Sequence, residues 1–179
     1  MAYHVTGMIA ALTFLFTVLG EIFQLRKVWQ RRREHEAGRL PGETPTAVLS
    51  VNQIMSVYLA CFAFFLYALS LTPMNHYLGW PRFVAAILAI MLLREIVRDR
   101  QDTVWRALYF AAIGLMVCAP LILWLKPWKD AGALAAQGLV IAATVILAQG
   151  YTHQILLIRR SGRTGAVSLR FHQCVLASG

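Results

Sequence analysis

The sequence predicts an all-α, polytopic membrane protein, and three observations support this prediction. Hydrophobic residues make up 59% of the 179 residues and charged residues only 14%, whereas soluble domains carry roughly a quarter charged residues. Several uncharged runs approach or exceed the ~20 apolar residues that a membrane-spanning helix needs. Lys and Arg are concentrated between these runs. The lipid bilayer is therefore the expected partner of most of the surface.

Five apolar segments predict five helices. They cover about residues 3–28, 48–71, 81–97, 105–125 and 131–158. The third is the shortest, because only 11 uncharged residues precede Arg94, and its basic end would have to snorkel to the surface. Residues 30–46 mix charges with Gly and Pro and predict a loop. A sixth apolar segment begins near Val167, but the nine residues after Arg170 are too few to cross a bilayer.

The basic residues predict the orientation of the helices. In this arrangement 14 of the 17 Lys and Arg residues lie on one side, and only Arg82, Lys126 and Lys129 lie on the other. Cytoplasmic loops of membrane proteins collect Lys and Arg, so we expect the N-terminus outside and the basic loops in the cytosol. The same rule explains the net charge of +9 without a nucleic-acid partner. The first 25 residues lack Lys and Arg, which argues against a cleaved signal peptide.

The sequence carries no recognisable catalytic or metal-binding motif. Cys61, Cys118 and Cys174 lie in apolar segments and form no CxxC or Cys/His cluster. There is no HExxH, no phosphate-binding Gly-rich loop and no G-x-S-x-G. We therefore expect no enzyme activity, no metal and no cofactor.

Two pairs of matching blocks indicate an internal duplication. Residues 20–25 (GEIFQL) and 150–155 (GYTHQI) both read G-x-x-x-Q-[LI], each at the basic end of its helix. Further along the chain, residues 46–50 (TAVLS) match residues 164–168 (TGAVS), with Thr and Ser four positions apart. Since the blocks occupy the same points of the topology, they are typical of parallel repeats.

The second copy, QILLIRRSGRTGAVSL, resembles the PQ-loop repeat of the SWEET and cystinosin-like transporters in its glutamine, basic run and Thr-Gly-x-x-Ser. The resemblance implies a helix bundle of two parallel three-helix repeats joined by a linker helix. Residues 1–99 would form the first bundle, 100–129 the linker and 130–179 the start of a truncated second bundle. Phe23 and His153 replace the family's proline before each glutamine, so a hinge would have to come from Gly20 and Gly150. The third helix also lacks the asparagine of sugar-transporting members.

Glu21 is the main candidate functional residue. It is the only acid well inside the first helix, and ionisable residues in spanning segments usually mark ion or substrate pathways. We expect it to face the bundle interior, as a site for a proton or a substrate amine. The alternative is that it snorkels toward Arg26 and Lys27.

Four further polar residues are candidates for substrate binding or gating. Gln24 and Gln154 lie near the basic ends of their helices, where an amide serves a gate or helix packing, or bonds exposed carbonyls at the interface. As a histidine, His153 offers proton coupling, with a simple interfacial role as the alternative. Asn52 opens the second helix and either lines a path or caps backbone donors.

These features predict a membrane carrier for a small polar solute, such as a sugar, amino acid or small acid. It would work by alternating access, with proton coupling as a further option. The alternative is a non-transporting receptor or scaffold of the same fold, because fold does not fix function. The unfinished second bundle also leads us to expect either association, for instance as a homo-oligomer, or a truncated chain.

Overall fold

A computed structural model describes residues 2–40, 42–125 and 129–178, and this part of the chain contains six helices and no strand. The helices are α1 (Ala2–Glu36), α2 (Val51–Ser70), α3 (His76–Arg100), α4 (Thr103–Leu125), α5 (Lys129–Ser161) and α6 (Leu169–Ser178). Among the described residues, four segments are long and apolar enough to cross a membrane: His4–Glu36, Val51–Ser70, Thr103–Leu121 and Leu134–Ser161. The prediction of an all-helical protein with several helices suited to a membrane is confirmed.

Helix α1 is longer than the sequence predicted. We expected it to end near Val28 and to be followed by a loop from residue 30, but the helix continues to Glu36. The chain turns only at Gly38, which has a positive φ of 72° that glycine adopts without steric cost. The loop prediction was therefore wrong for residues 30–36.

An ion-pair network explains why α1 continues through this basic stretch. Arg32 lies between Glu95 and Asp99 of α3, at 2.6 and 2.9 Å. Asp99 also accepts a hydrogen bond from the Thr46 backbone N–H at 2.8 Å. Because Arg32 has two acidic partners on a neighbouring helix, its turn of α1 is held in place by tertiary contacts.

Glu43 connects two loops at the same end of the bundle. Its carboxylate accepts hydrogen bonds from Arg31 at 2.7 Å and from Arg163 at 2.8 Å. The hydrogen bond from Arg31 is the main reason why the pKa of Glu43 lies below its ordinary value. The α1–α2 connection is thereby tied to the α5–α6 connection.

Side-chain caps define the starts of α2 and α3. Ser50 is the N-cap of α2, and its Oγ accepts from the Gln53 N–H at 3.1 Å. Asn75 caps α3, and its Oδ1 accepts from the Leu78 N–H at 3.2 Å. Both residue types favour this position because they satisfy a backbone donor of the first turn. Asn52, which we considered as a cap, lies inside α2.

Helix α2 occupies the centre of the protein. It packs along α3 and α5, while α1 packs against α3 and α6, and α4 lies against α2 and α3. Tyr58 of α2 is fully buried and stacks on Phe62, with 5.6 Å between the ring centroids. Its hydroxyl donates to the Ala112 carbonyl of α4 at 2.7 Å, which satisfies the polar end of a buried aromatic residue.

Large apolar side chains are exposed on the outer faces of α1, α4 and α5. They include Leu12, Phe16, Phe110, Val117 and Ile141. Soluble monomers rarely expose contiguous apolar patches of this kind. Lipid as the surrounding solvent accounts for them, because acyl chains cover apolar side chains without cost.

Candidate functional site

Glu21 lies inside the helix bundle. The residue is 1% exposed, and neither carboxylate oxygen has a hydrogen-bond partner among the described residues. The structure therefore places it in the interior and not at the surface beside Arg26 and Lys27. Buried polar groups are nearly always hydrogen-bonded, so an acid without a partner requires an explanation.

Arg82 of α3 provides an opposite charge that acts on Glu21. Its guanidinium carbon lies 4.1 Å from the ring centroid of Phe14 and 5.0 Å from that of Phe64. Such contacts with ring faces stabilise a cation that is partly removed from water. The Nε of Arg82 is buried and has no partner among the described residues. The sequence placed Arg82 on the outer side only from the distribution of basic residues, and its contacts with aromatic rings of α1 and α2 were not predicted.

Cys61 and Tyr151 complete the group that we call the interior cluster, which consists of Glu21, Cys61, Arg82 and Tyr151. The Sγ of buried Cys61 lies 3.9 Å from a terminal nitrogen of Arg82. Tyr151 of α5 is partly buried and packs against the hydrophobic core of the bundle. Helices α1, α2, α3 and α5 thus each contribute one ionisable side chain to the interior of the bundle.

The two glutamines are buried and make equivalent hydrogen bonds. Gln24 of α1 bonds the connection between α5 and α6, and Gln154 of α5 bonds the connection between α1 and α2. Each donates from its amide nitrogen to a backbone carbonyl and accepts on its amide oxygen from a backbone N–H two residues further on. Gln24 is 1% exposed and Gln154 is 0% exposed. The four bonds are Gln24 Nε2 to Ala166 O (2.6 Å), Ser168 N to Gln24 Oε1 (2.8 Å), Gln154 Nε2 to Val48 O (2.9 Å) and Ser50 N to Gln154 Oε1 (2.7 Å).

Gly20 and Gly150 lie where two helix pairs approach closely. A Cβ at Gly20 would lie 3.1 Å from both the Phe171 carbonyl oxygen and the Cys174 Cβ, between α1 and α6. A Cβ at Gly150 would lie 2.5 Å from the Ser56 Oγ, between α5 and α2. Both glycines lie within continuous helices. The structure therefore gives them a packing role, and the hinge role stays a prediction.

We expect Gly150→Ala to lower the free energy of unfolding by about 1 to 3 kcal/mol, the usual cost of overpacking. The new Cβ would meet the fixed Cβ of Ser56 at 2.7 Å, so α2 and α5 must move apart. Thermal unfolding in mild detergent, followed by circular dichroism, measures the effect. Gly138→Ala is the matched control on the same helix, since nothing lies within 4 Å of its Cβ position. Equal effects of the two substitutions would contradict the close-packing role.

Asn52 and His153 lie apart from the interior cluster. Both line a cavity of about 620 Å³ between α2, α4 and α5 at the basic end. The Nδ1 of His153 is 2.8 Å from the Ser50 Oγ, and Asn52 donates to the Gln149 Oε1 at 3.1 Å. Of the residues predicted for solute binding or gating, only Glu21 therefore belongs to the interior cluster.

Sequence reasoning missed three members of the interior cluster. From the sequence, Cys61 was considered only as a possible metal ligand and Arg82 only as one of three basic residues on the outer side, and no role was assigned to Tyr151. For Arg82 a signal existed, because it is a charge followed by an apolar run within one helix. The aromatic partners that draw it inward come from α1 and α2, and no local pattern identifies them.

Comparisons with protein families, with characterised proteins and with solved structures find no match to this chain. Among the described residues, no group of three or more His, Cys, Asp or Glu side chains is placed to hold a metal ion. The interpretation of the site therefore rests on the geometry of its own residues.

Proposed function

We propose that this protein is a secondary carrier that moves a small polar solute across the membrane by alternating access. The observation that carries the proposal is Glu21, an acid that is 1% exposed and unpartnered among the described residues, within a helix suited to crossing a membrane. Acids kept in such segments usually mark ion or substrate pathways. Arg82 adds an unpartnered donor, its Nε. The interior cluster thus offers a guest both an acceptor and a donor.

The chemistry of the cluster favours a solute that carries an amine and an acid, such as an amino acid. A carboxylate binds a cationic or donor group, and a guanidinium binds an anionic or acceptor group. A sugar has no charge to match either one. The proton is a second guest for Glu21, and a carrier that alternates a proton and a solute at one carboxylate is proton-coupled.

We also propose that two parallel repeats form the fold, joined by α4, as in PQ-loop proteins. The support is that equivalent positions make equivalent contacts. Gln24 and Gln154 are 130 positions apart, as are Gly20 and Gly150, while their contact residues are all offset by 118 positions. These offset pairs are Val48 and Ala166, Ser50 and Ser168, Gln53 and Phe171, and Ser56 and Cys174.

Alternating access requires a gate, and we place it at the basic end. The two glutamines each bond the connection of the opposite repeat there, and the Ala166 N–H donates to the Ala47 carbonyl at 3.0 Å. This conformation is then closed at the basic end. The excess of Lys and Arg supports a cytosolic location for this end and an outside N-terminus.

Uptake into proteoliposomes tests the proposal. The purified protein is reconstituted and offered radiolabelled amino acids, sugars and small acids, each with and without an imposed pH gradient. We expect saturable uptake of one solute class, with amino acids preferred, above the level of protein-free liposomes. If no solute enters faster than in protein-free liposomes, while the protein still binds one of them, the receptor alternative replaces the carrier.

A further inference from the structure

A basic pocket lies between α1 and α6, away from the interior cluster. It has a volume of about 480 Å³. It is lined by Phe23, Arg26, Lys27 and Gln30 of α1, by Arg170 of α6 and by Ser168, which precedes α6. Three of these side chains are cationic and none of the lining residues is acidic. The pocket therefore attracts anions.

Contacts with the protein hold two of the three cations at the pocket, and the third is free of them in the described part of the chain. Lys27 donates to the Val167 carbonyl at 2.5 Å, which leaves its other two protons for a ligand. The guanidinium carbon of Arg170 lies 5.6 Å from the ring centroid of Phe23. Arg26 is exposed and has no acceptor among the described residues. The nearby acid Glu34 accepts a hydrogen bond from Gln30 at 2.9 Å.

An exposed apolar stripe on α1 leads directly into the basic pocket. Leu12, Phe16 and Leu19 are 61%, 46% and 45% exposed, and their spacing places them on the helix face that continues to Phe23 and Arg26. On α6, Leu169 and Leu176 are 69% and 84% exposed. The pocket thus lies at the border between a lipid-facing surface and the charged end of the bundle.

We propose that the basic pocket binds the headgroup of an anionic phospholipid, with its phosphate among Arg26, Lys27 and Arg170 and its acyl chains along Leu12, Phe16 and Leu19. Guanidinium and ammonium groups are the usual partners of phosphate. A free phosphate would use the cations but not the stripe. The stripe is what selects a lipid, because acyl chains held against it add apolar contact to the headgroup bonds.

The test measures lipid binding to the purified protein in detergent micelles. The probes are spin-labelled phosphatidylglycerol and spin-labelled phosphatidylcholine, and inorganic phosphate is the competitor. We expect phosphatidylglycerol to bind more tightly than phosphatidylcholine and to resist displacement by 10-fold excesses of phosphate. Arg26→Gln and Arg170→Gln should each weaken phosphatidylglycerol binding about fivefold, the effect of one cation near an anionic headgroup.

Arg39→Gln is the matched control, because it removes one exposed cation from the same end of the protein but outside the pocket. Arg39→Gln should leave the preference for phosphatidylglycerol over phosphatidylcholine unchanged. Arg26→Lys should retain most of this preference. Equal binding of the two lipids overturns the proposal. So does an equal loss in Arg39→Gln and Arg26→Gln, since binding would then follow net charge only. Displacement of the lipid by a 10-fold excess of phosphate or less would make this a soluble-anion site and would equally overturn the proposal.

Discussion

Glu21→Gln is expected to reduce solute uptake at least tenfold and to remove its response to a pH gradient, while the protein still folds. Gln has nearly the same shape but can neither carry a negative charge nor exchange a proton. No hydrogen bond to a described residue is lost, and an acid in an apolar helix costs up to about 3 kcal/mol. The unfolding temperature should therefore stay the same or rise. Activity then falls without any loss of stability, which a purely structural residue would not produce.

The control for this substitution is Glu36→Gln, which removes an acid from the exposed end of the same helix. It should transport like the unmodified protein. Initial uptake rates in proteoliposomes, normalised to the reconstituted protein, are compared across external pH. An unchanged rate and pH profile for Glu21→Gln would remove Glu21 from the transport site.

Gln154→Leu is expected to cause a large loss of stability. Leucine fills similar space, but the Ser50 N–H and the Val48 carbonyl would lose their partner. Leaving a buried backbone group unsatisfied costs about 1 to 3 kcal/mol. Average side-chain hydrogen bonds between membrane helices are worth only about 0.6 kcal/mol, so a loss above 1 kcal/mol would distinguish this amide from an ordinary interhelical contact.

Gln24→Leu should lower the free energy of unfolding by a similar amount, because the Gln24 amide makes the equivalent pair of bonds with Ala166 and Ser168. Gln149→Leu is the matched control on α5, since Gln149 is exposed and accepts a single hydrogen bond from Asn52. The free energy of unfolding is measured by denaturant titration in mild detergent. If neither Gln154→Leu nor Gln24→Leu lowered the free energy of unfolding by about 0.5 kcal/mol more than Gln149→Leu does, the bonds would not hold the two connections together.

The helices could be predicted from the sequence wherever the signal was local. The predicted start and end of α4 agree with the structure to within two residues, because the uncharged run 107–125 lies between Arg106 and Lys126. The end of α1 could not be predicted. Its last two turns are basic, and the acids that hold Arg32 lie more than 60 positions away on α3.

The candidate site was predictable only in part, for a similar reason. The cost of an acid in lipid singled out Glu21 from the sequence alone. The matching blocks singled out Gln24 and Gln154, yet they did not reveal that each amide would be bonded to a distant connection. Arg82 was missed because its direction depends on Phe14 and Phe64, and a single sequence does not show which rings a cation will meet.

The bonds of Gln24 also have a consequence for how the protein is made. They join Gln24 to residues that follow it by 142 and 144 positions. Ribosomes add about 5 to 20 residues per second. Helix α1 therefore waits roughly 7 to 30 s in the bilayer before its partner connection has been synthesised. During that interval the amide of Gln24 is exposed to lipid or to the insertion machinery. Assembly of the polar interior is completed only when α5 and α6 arrive.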